Sequence, residues 1–453
     1  MVKNWSKIVL VSLLVIAVAA PVFATTARVR ALANTGDYLS DDSNVFRWYS
    51  TLPSYANMVQ AEMGTWEGFS SPGFGPAQAD FGPLMDSRAL GFNYACGEDG
   101  KWGTYRLTLN ENSVDHPGFY LVNPFIMGLS PGSAADDVPD PYDTTPVNKW
   151  DLAGGWEIGE TIVLGLAYTR SSMSYEYSDA ETTTDDMKLT SSWSTYGLGF
   201  TWTNNEDLIL DATFTFASAG GKWENADTSL SFPGNGVGDA ETVEWDKSTG
   251  IELSARLFWD WKDYVTVVPV FQYAQAEYAM KRSPTGYSPP NGDKSMGIVI
   301  GVALDIEVNG SNTLIWATEY NYGKWEPSTN VADFALESTF SVFPTFRLAL
   351  ESEITSWLTT RVGAVHSNIA YTDKGGDIEE KVTDGAFIPG EGWIVNGFTW
   401  HLGAGFNVAE WTIDAELAPE TPFSLGYWVT GYSAFGAFGG PGPVYRLSGT
   451  YNF

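Results

Sequence analysis

Five stretches of this chain alternate large apolar residues with small or polar ones at a period of two. Beyond residue 24, no run approaches the roughly 20 consecutive apolar positions that a membrane-crossing helix needs. Ile162, Leu164, Leu166 and Tyr168 interleave with Val163, Gly165, Ala167 and Thr169; Leu208, Leu210, Ala212, Phe214 and Phe216 interleave with Asp211, Thr213 and Thr215. The pattern returns around Leu253, around Ile300 and around Trp400. Period two describes strands with two chemically different faces. A sandwich of sheets would use strands of about five or six residues, whereas the segments 333–353 and 357–373 can cross a bilayer, which takes about 9 to 11 residues at barrel tilt, and continue past it. In lipid every backbone amide must be paired, so strands can cross only as a closed barrel with the apolar face outward. The fold class expected is all-β: a transmembrane antiparallel up-and-down β-barrel.

The connections alternate in length. Asn204-Asn205-Glu206, Asp260-Trp261-Lys262, Asn309-Gly310-Ser311-Asn312 and Ala409-Glu410 have the composition of tight hairpins, while 113–146, 178–187, 225–244, 283–291, 374–392 and 419–441 are long and polar. Short turns belong on the periplasmic side and long loops outside. Counting strands back from the C-terminus gives fifteen, and the even-number rule asks for one more, which 55–67 supplies. The expectation is about 16 strands, with 14 as the alternative if weak segments are loop or plug. Trp259, Trp261, Tyr264 and Trp357 sit beside short turns, where an aromatic girdle meets the headgroups.

Charge and composition narrow the function classes. With 24 Lys and Arg against 55 Asp and Glu, the net charge is -31, yet 44% of residues are hydrophobic and 15% aromatic, so the chain folds. That charge, with no basic stripe, excludes a nucleic-acid partner. A single cysteine, Cys96, excludes a disulfide framework and a thiolate metal cluster. Lys3 and Lys7, the apolar run Ile8 to Ala20, and Val22-Phe23-Ala24 read as a secretory signal peptide over 1–24. The rest divides into a segment 25–54, periplasmic or inserted in the lumen, and a barrel over 55–453. The location expected is the bacterial outer membrane, with its lipid as a partner.

The last strand, Val444 to Phe453, alternates strictly and ends on an aromatic residue. It resembles the C-terminal signal of bacterial outer-membrane barrels, with Tyr451 and Phe453 at the positions read by the barrel assembly machinery. The stretch Ala27 to Asn44, with Asp41-Asp42 inside it, looks like the opening of the long-chain fatty-acid transporter (FadL-like) superfamily and its PorV-like relatives. The likeness covers about 25 residues. It departs where Ala33-Asn34-Thr35 replaces glycines and where Tyr49-Ser50-Thr51-Leu52-Pro53 replaces an Asn-Pro-Ala-Gly element. The resemblance implies an N-terminal segment inside the barrel and a hydrophobic substrate leaving sideways through the wall.

Sorting the strands by alternation turns Asp211, Glu252, Asp305, Glu307, Glu337, Glu351, Asp414 and Glu416 inward, with Arg256, Arg347, Arg446 and His401. An open lumen so lined prefers cations; equally, these charges can pair between strands and fill a closed interior. The acidic clusters at 136–143, 179–186 and 239–246 lack the spacing of a calcium loop and read as a solvated rim. No metal or cofactor is implied. Only His116, His366 and His401 could serve as a histidine base, and Ser367 points away from His366 in a strand, so no hydrolytic dyad forms there. The expected function is passive uptake of small solutes or hydrophobic compounds. The alternative is a non-transport barrel that docks other proteins through its acidic loops. Neither the substrate nor the oligomeric state is legible.

Overall fold

The structure is a computed structural model. It describes residues 26–65, 86–97, 100–111, 149–177, 187–204, 208–225, 241–278, 280–283, 293–326, 337–375, 378–383, 387–388, 392–393, 397–417 and 444–453. The signal-peptide expectation and most of the long loops lie outside these residues.

The described strands are β1 (Met58–Thr65), β2 (Asp86–Ala95), β3 (Thr104–Glu111), β4 (Lys149–Ile158), β5 (Ile162–Tyr177), β6 (Met187–Asn204), β7 (Leu208–Asn225) and β8 (Glu241–Lys262), followed by β9 (Val265–Tyr278), β10 (Asp293–Asn309), β11 (Asn312–Glu326), β12 (Glu337–Thr355), β13 (Leu358–Gly375), β14 (Gly397–Val408), β15 (Trp411–Leu417) and β16 (Val444–Asn452). Each pairs antiparallel with its sequence neighbours, and β1 closes the ring on β16, Met58 opposite Asn452. Two shorter segments, Met280–Ser283 and Ile378–Thr383, extend the sheet beside β8 and β13. The wall is therefore a closed barrel of 16 strands, and the weak segment near residue 60 is a full wall strand.

Closure sorts the side chains. On β7, Asp211, Thr213 and Thr215 are buried inside while Phe214 and Phe216 are exposed outside; on β8, Glu252, Ser254 and Arg256 are buried while Leu253 and Trp259 are exposed. Leu107, Leu166, Leu198, Ile300, Trp316, Leu348 and Trp400 continue the exposed apolar band. An unbroken outer surface of this kind is stable against acyl chains, and the wall is that of an outer-membrane barrel. Trp261, Tyr264 and Trp357 are exposed at the short-turn end. Tight reversals at that end use the left-handed region, with Gly159 at φ 68° and Ala409 at φ 55°. The backbone amide of Phe453 donates to the Asn57 carbonyl at 3.0 Å, and its ring stacks on Phe92, sealing the β16–β1 seam.

Two expectations need correction. Glu337 does not face the lumen. Between Val342 and Thr345 strand β12 spends one residue more than either neighbour, a bulge at Phe343-Pro344, where proline has no amide to give the ladder. The bulge reverses the alternation, so Glu337 joins the outward set and pairs with Lys324 at 3.0 Å near the strand ends. The connection expected over 225–244 is also shorter, because β8 begins at Glu241 and takes part of the third acidic cluster into the wall.

Candidate functional site in the barrel lumen

Residues 26–57 sit against the inner wall. They form a helical turn, Thr26–Ala31, and three 3-10 turns, Gly36–Tyr38, Asp42–Phe46 and Tyr49–Tyr55. Short turns suit a sequence that alternates polar and apolar residues too irregularly for a long helix. Ala31, Leu32, Ala33, Trp48 and Leu52 are almost wholly buried.

The wall makes room for this segment with glycine. Gly165 and Gly197 lie so close to Tyr49 that neither position has space for a Cβ; Gly301 meets the Tyr38 hydroxyl and Gly403 meets Ala31 in the same way. Elsewhere the attachment is polar. Arg256 on β8 is buried, pairs with Asp211 at 2.9 Å, and donates to the Leu39 carbonyl at 3.1 Å and to Asn44 Oδ1 at 2.8 Å. Its guanidinium also lies over the Trp48 ring, 4.5 Å from the centroid. Arg347 on β12 pairs with Glu319 and donates to the Ala33 carbonyl at 2.7 Å. Gln272 on β9 donates to Asp37 at 2.8 Å, the Ser50 hydroxyl and that of Thr201 on β6 share a hydrogen bond of 2.8 Å, and Asn93 on β2 donates to the Tyr55 carbonyl at 2.8 Å. Arg106 on β3 covers the Phe46 ring, and Thr450 on β16 donates to Asp42. These ties come from strands all round the circumference, and they lie in the half of the barrel that ends in the short turns.

One chain of alternating charges runs from the segment into the wall. Arg28 pairs with Asp41 and grips both oxygens of Glu351 at 3.0 Å; Arg361 pairs with Glu351 and with Asp414, each at 2.5 Å. Within the segment, Arg47 Nη1 donates to both oxygens of Asp37, at 3.1 and 2.8 Å. Burial opposes the Asp37 charge, but Arg47 and Arg256 outweigh it and hold that carboxyl below its usual range.

The remaining sequence candidates fall around this network. Glu252 is buried 3.6 Å from Arg47, His401 Nδ1 stands 3.6 Å from Glu416, and Arg446 pairs with Glu62. Asp305 and Glu307 line a cleft of about 590 Å³ at the short-turn end, beside Asp260, Glu351 and Glu353. Glu337 stands apart, as described above. Farther toward the long loops, Ala217, Ala219, Ala274 and Ala276 form an apolar patch on the inner wall with Trp193 packed on it.

Four charged wall residues of the network lay outside the sequence candidates, Arg106, Glu319, Arg361 and Glu62, as did the uncharged Asn93, Thr201, Gln272 and Thr450. Arg361 carried a usable signal, because counting the 357–373 alternation in twos puts it inward opposite Glu351. Arg28 and Arg47 carried none, since an irregular segment has no period to sort its faces.

No family model matches the chain, and no curated protein sequence matches it. Among solved structures it is similar to the copper transporter OprC at 13% identity and a TM-score of 0.37, covering 80% of this chain and 60% of that one. It is similar to the toluene transporter TodX of Pseudomonas putida at 8% identity and a TM-score of 0.35, with 91% and 94% covered, and to a Pseudomonas aeruginosa FadL homologue at 12% identity and 0.35, also with 91% and 94% covered. The chain spans about three fifths of the length of OprC and of the alcaligin outer-membrane receptor of Bordetella pertussis.

Proposed function

We propose that this barrel is a gated outer-membrane transporter for small hydrophobic compounds, with residues 26–57 as the gate. The observation that carries the reading is the seating of that segment by hydrogen bonds and ion pairs from wall strands around the circumference. Polar ties to a wall can be exchanged for ties to water when the segment moves, while the burial of Leu32, Tyr38, Leu39, Trp48 and Leu52 keeps it seated at rest. The half-buried Trp193, backed by the buried Ala217, Ala219, Ala274 and Ala276, gives the inner wall an aromatic face that suits an apolar solute better than a sugar or an ion. Because Arg28, Arg47, Arg106 and Arg361 offset much of the wall's acidity, the resting lumen favours cations less than the wall acids alone suggest.

A reversible lock tests this. Ser50 and Thr201 have hydroxyls 2.8 Å apart, so cysteines at both positions, with Cys96→Ser, clip the segment to the wall. In proteoliposomes, entry of a hydrophobic fluorescent dye should stop on oxidation and return on reduction. Dye entry that continues through the oxidised barrel at the reduced rate overturns the gate.

A further inference from the structure

Arg256, Arg347, Arg361 and Arg446 of the wall each pair with a carboxylate. Arg106 on β3 is different. It is 4% exposed, and among the described residues no acid stands at ion-pair distance from it. Its Nε donates to Thr108 Oγ1 at 2.7 Å and its Nη1 to Asn93 Oδ1 at 3.0 Å, which leaves Nη2 without an acceptor among the described residues. The carboxylates in its field are Asp42 of the segment and Asp151 of β4. Both are engaged elsewhere, Asp42 by the Thr450 hydroxyl and Asp151 by Asn110 and Thr169. Gln60 on β1, also 4% exposed, has no partner for its Oε1, and its Nε2 meets the Met58 sulfur at 3.5 Å. The inner face of Gly91 lies between the two: a Cβ there would stand 2.8 Å from Arg106 Nη2 and 3.5 Å from Gln60 Oε1. Two buried, incompletely bonded groups therefore border one point of the wall. The ring of Phe46 lies over the guanidinium, 4.3 Å from centroid to Cζ, and is itself only half-buried.

We propose that Arg106 and Gln60 form a receptor for the carboxylate of an aromatic acid, and that the Phe46 ring keeps this place at rest, so that such an acid competes with the segment for Arg106. The inference rests on the gate reading for its consequence in transport, where it names the substrate class, while the site stands on these residues alone. A buried guanidinium without a counter-charge is costly, and a carboxylate on Nη2 supplies the charge-assisted hydrogen bond that is missing. Gln60, turned over about its last side-chain bond, gives up a weak contact with sulfur and adds an Nε2 donor to the same anion. The aromatic part follows from what the segment itself shows to Arg106. The five-residue turn Asp42–Phe46 sets a benzene ring against the guanidinium from one end and a carboxylate in its field from the other. An aromatic acid carries both groups in one molecule, and its carboxylate is not tied to Thr450. An anion without a ring satisfies the charge and leaves Phe46 where it is.

Two readouts on the full protein in detergent micelles test this with 3-phenylpropionate as the probe: calorimetric titration for binding, and hydrogen–deuterium exchange of peptides spanning 42–55 for the segment. The acid should bind saturably and lower protection in those peptides, while peptides of β7 hold steady as the internal reference. Its amide, which lacks the charge, and propionate, which lacks the ring, should leave protection unchanged. Phe46→Ala removes the competing ring and should bind the acid about tenfold more tightly, the size of one shielded cation–π contact. Arg106→Gln should lose the binding, and Arg106→Lys, which keeps the charge, should retain part of it. An amide that acts as the acid does, Arg106→Gln binding equal to the wild type, or binding that leaves 42–55 protected overturns the receptor. Arg106-dependent binding that loosens the segment without quickening dye entry supports the receptor and overturns the gate. No binding even to Phe46→Ala, while the oxidised lock still stops the dye, overturns the receptor and leaves the gate standing.

Discussion

Arg256 of the wall donates a 2.8 Å hydrogen bond to Asn44 of the segment inside it, while its Nε holds Asp211 at 2.9 Å. One guanidinium thus ties two strands and two 3-10 turns together. Arg256→Met should leave Asp211 buried without its cation, a loss of about 3–5 kcal/mol for a broken buried pair. Urea unfolding should show the lower midpoint. Adding Asp211→Asn should recover part of it, because the two changes act on one interaction. Additive losses would contradict the coupling.

The glycine face makes a steric prediction. Gly197 has no room for a side chain against Tyr49, so Gly197→Val should unseat the segment while the strand, which favours valine, still forms. Protease cleavage within 36–55 should rise, and the heat-modifiable band of the folded barrel should persist. A seated, protected segment in this variant would show that the wall yields instead.

Acid should act on Asp37. Its carboxyl is held low by Arg47 and Arg256, so its contribution is present above about pH 3.9, the ordinary value, and is lost as pH falls through the depressed one. Arg47→Gln should shift the acid loss of protection in 36–47 to higher pH, read by exchange or limited proteolysis.

Glu337 serves as the contrast. It is paired with Lys324 on the outward set, so Glu337→Gln should change stability by no more than about 0.5 kcal/mol and leave dye entry unchanged. Altered entry in that variant would place the residue in the lumen after all.

The C-terminal residue can be tested in cells. Phe453 stacks on Phe92 across the closing seam, so Phe453→Ser should lower the amount of heat-modifiable barrel recovered from outer membranes, through a weaker seam or a weaker assembly signal. Refolding the same variant from urea into micelles separates the two: normal refolding leaves the assembly step as the defect.

The wall was legible in the sequence because each strand obeys a local rule. Period two assigns a face to every residue, so Asp211, Glu252, Arg256 and His401 are turned inward by their neighbours alone, and short turns such as Asn309 to Asn312 mark where strands reverse. That rule fails at Pro344, where one residue of bulge carries Glu337 to the other face. What the sequence could not decide was pairing across the lumen. Arg28 meets Glu351 over a separation of 323 residues, and Arg256 meets Asn44 over 212. Such partners are chosen by barrel closure and by the glycines that let the segment approach, and neither leaves a periodic mark. The sequence by itself determined a membrane barrel with a charged interior; only the tertiary structure decided that Arg256, Arg347 and Glu351 of that interior hold the chain's own N-terminal segment.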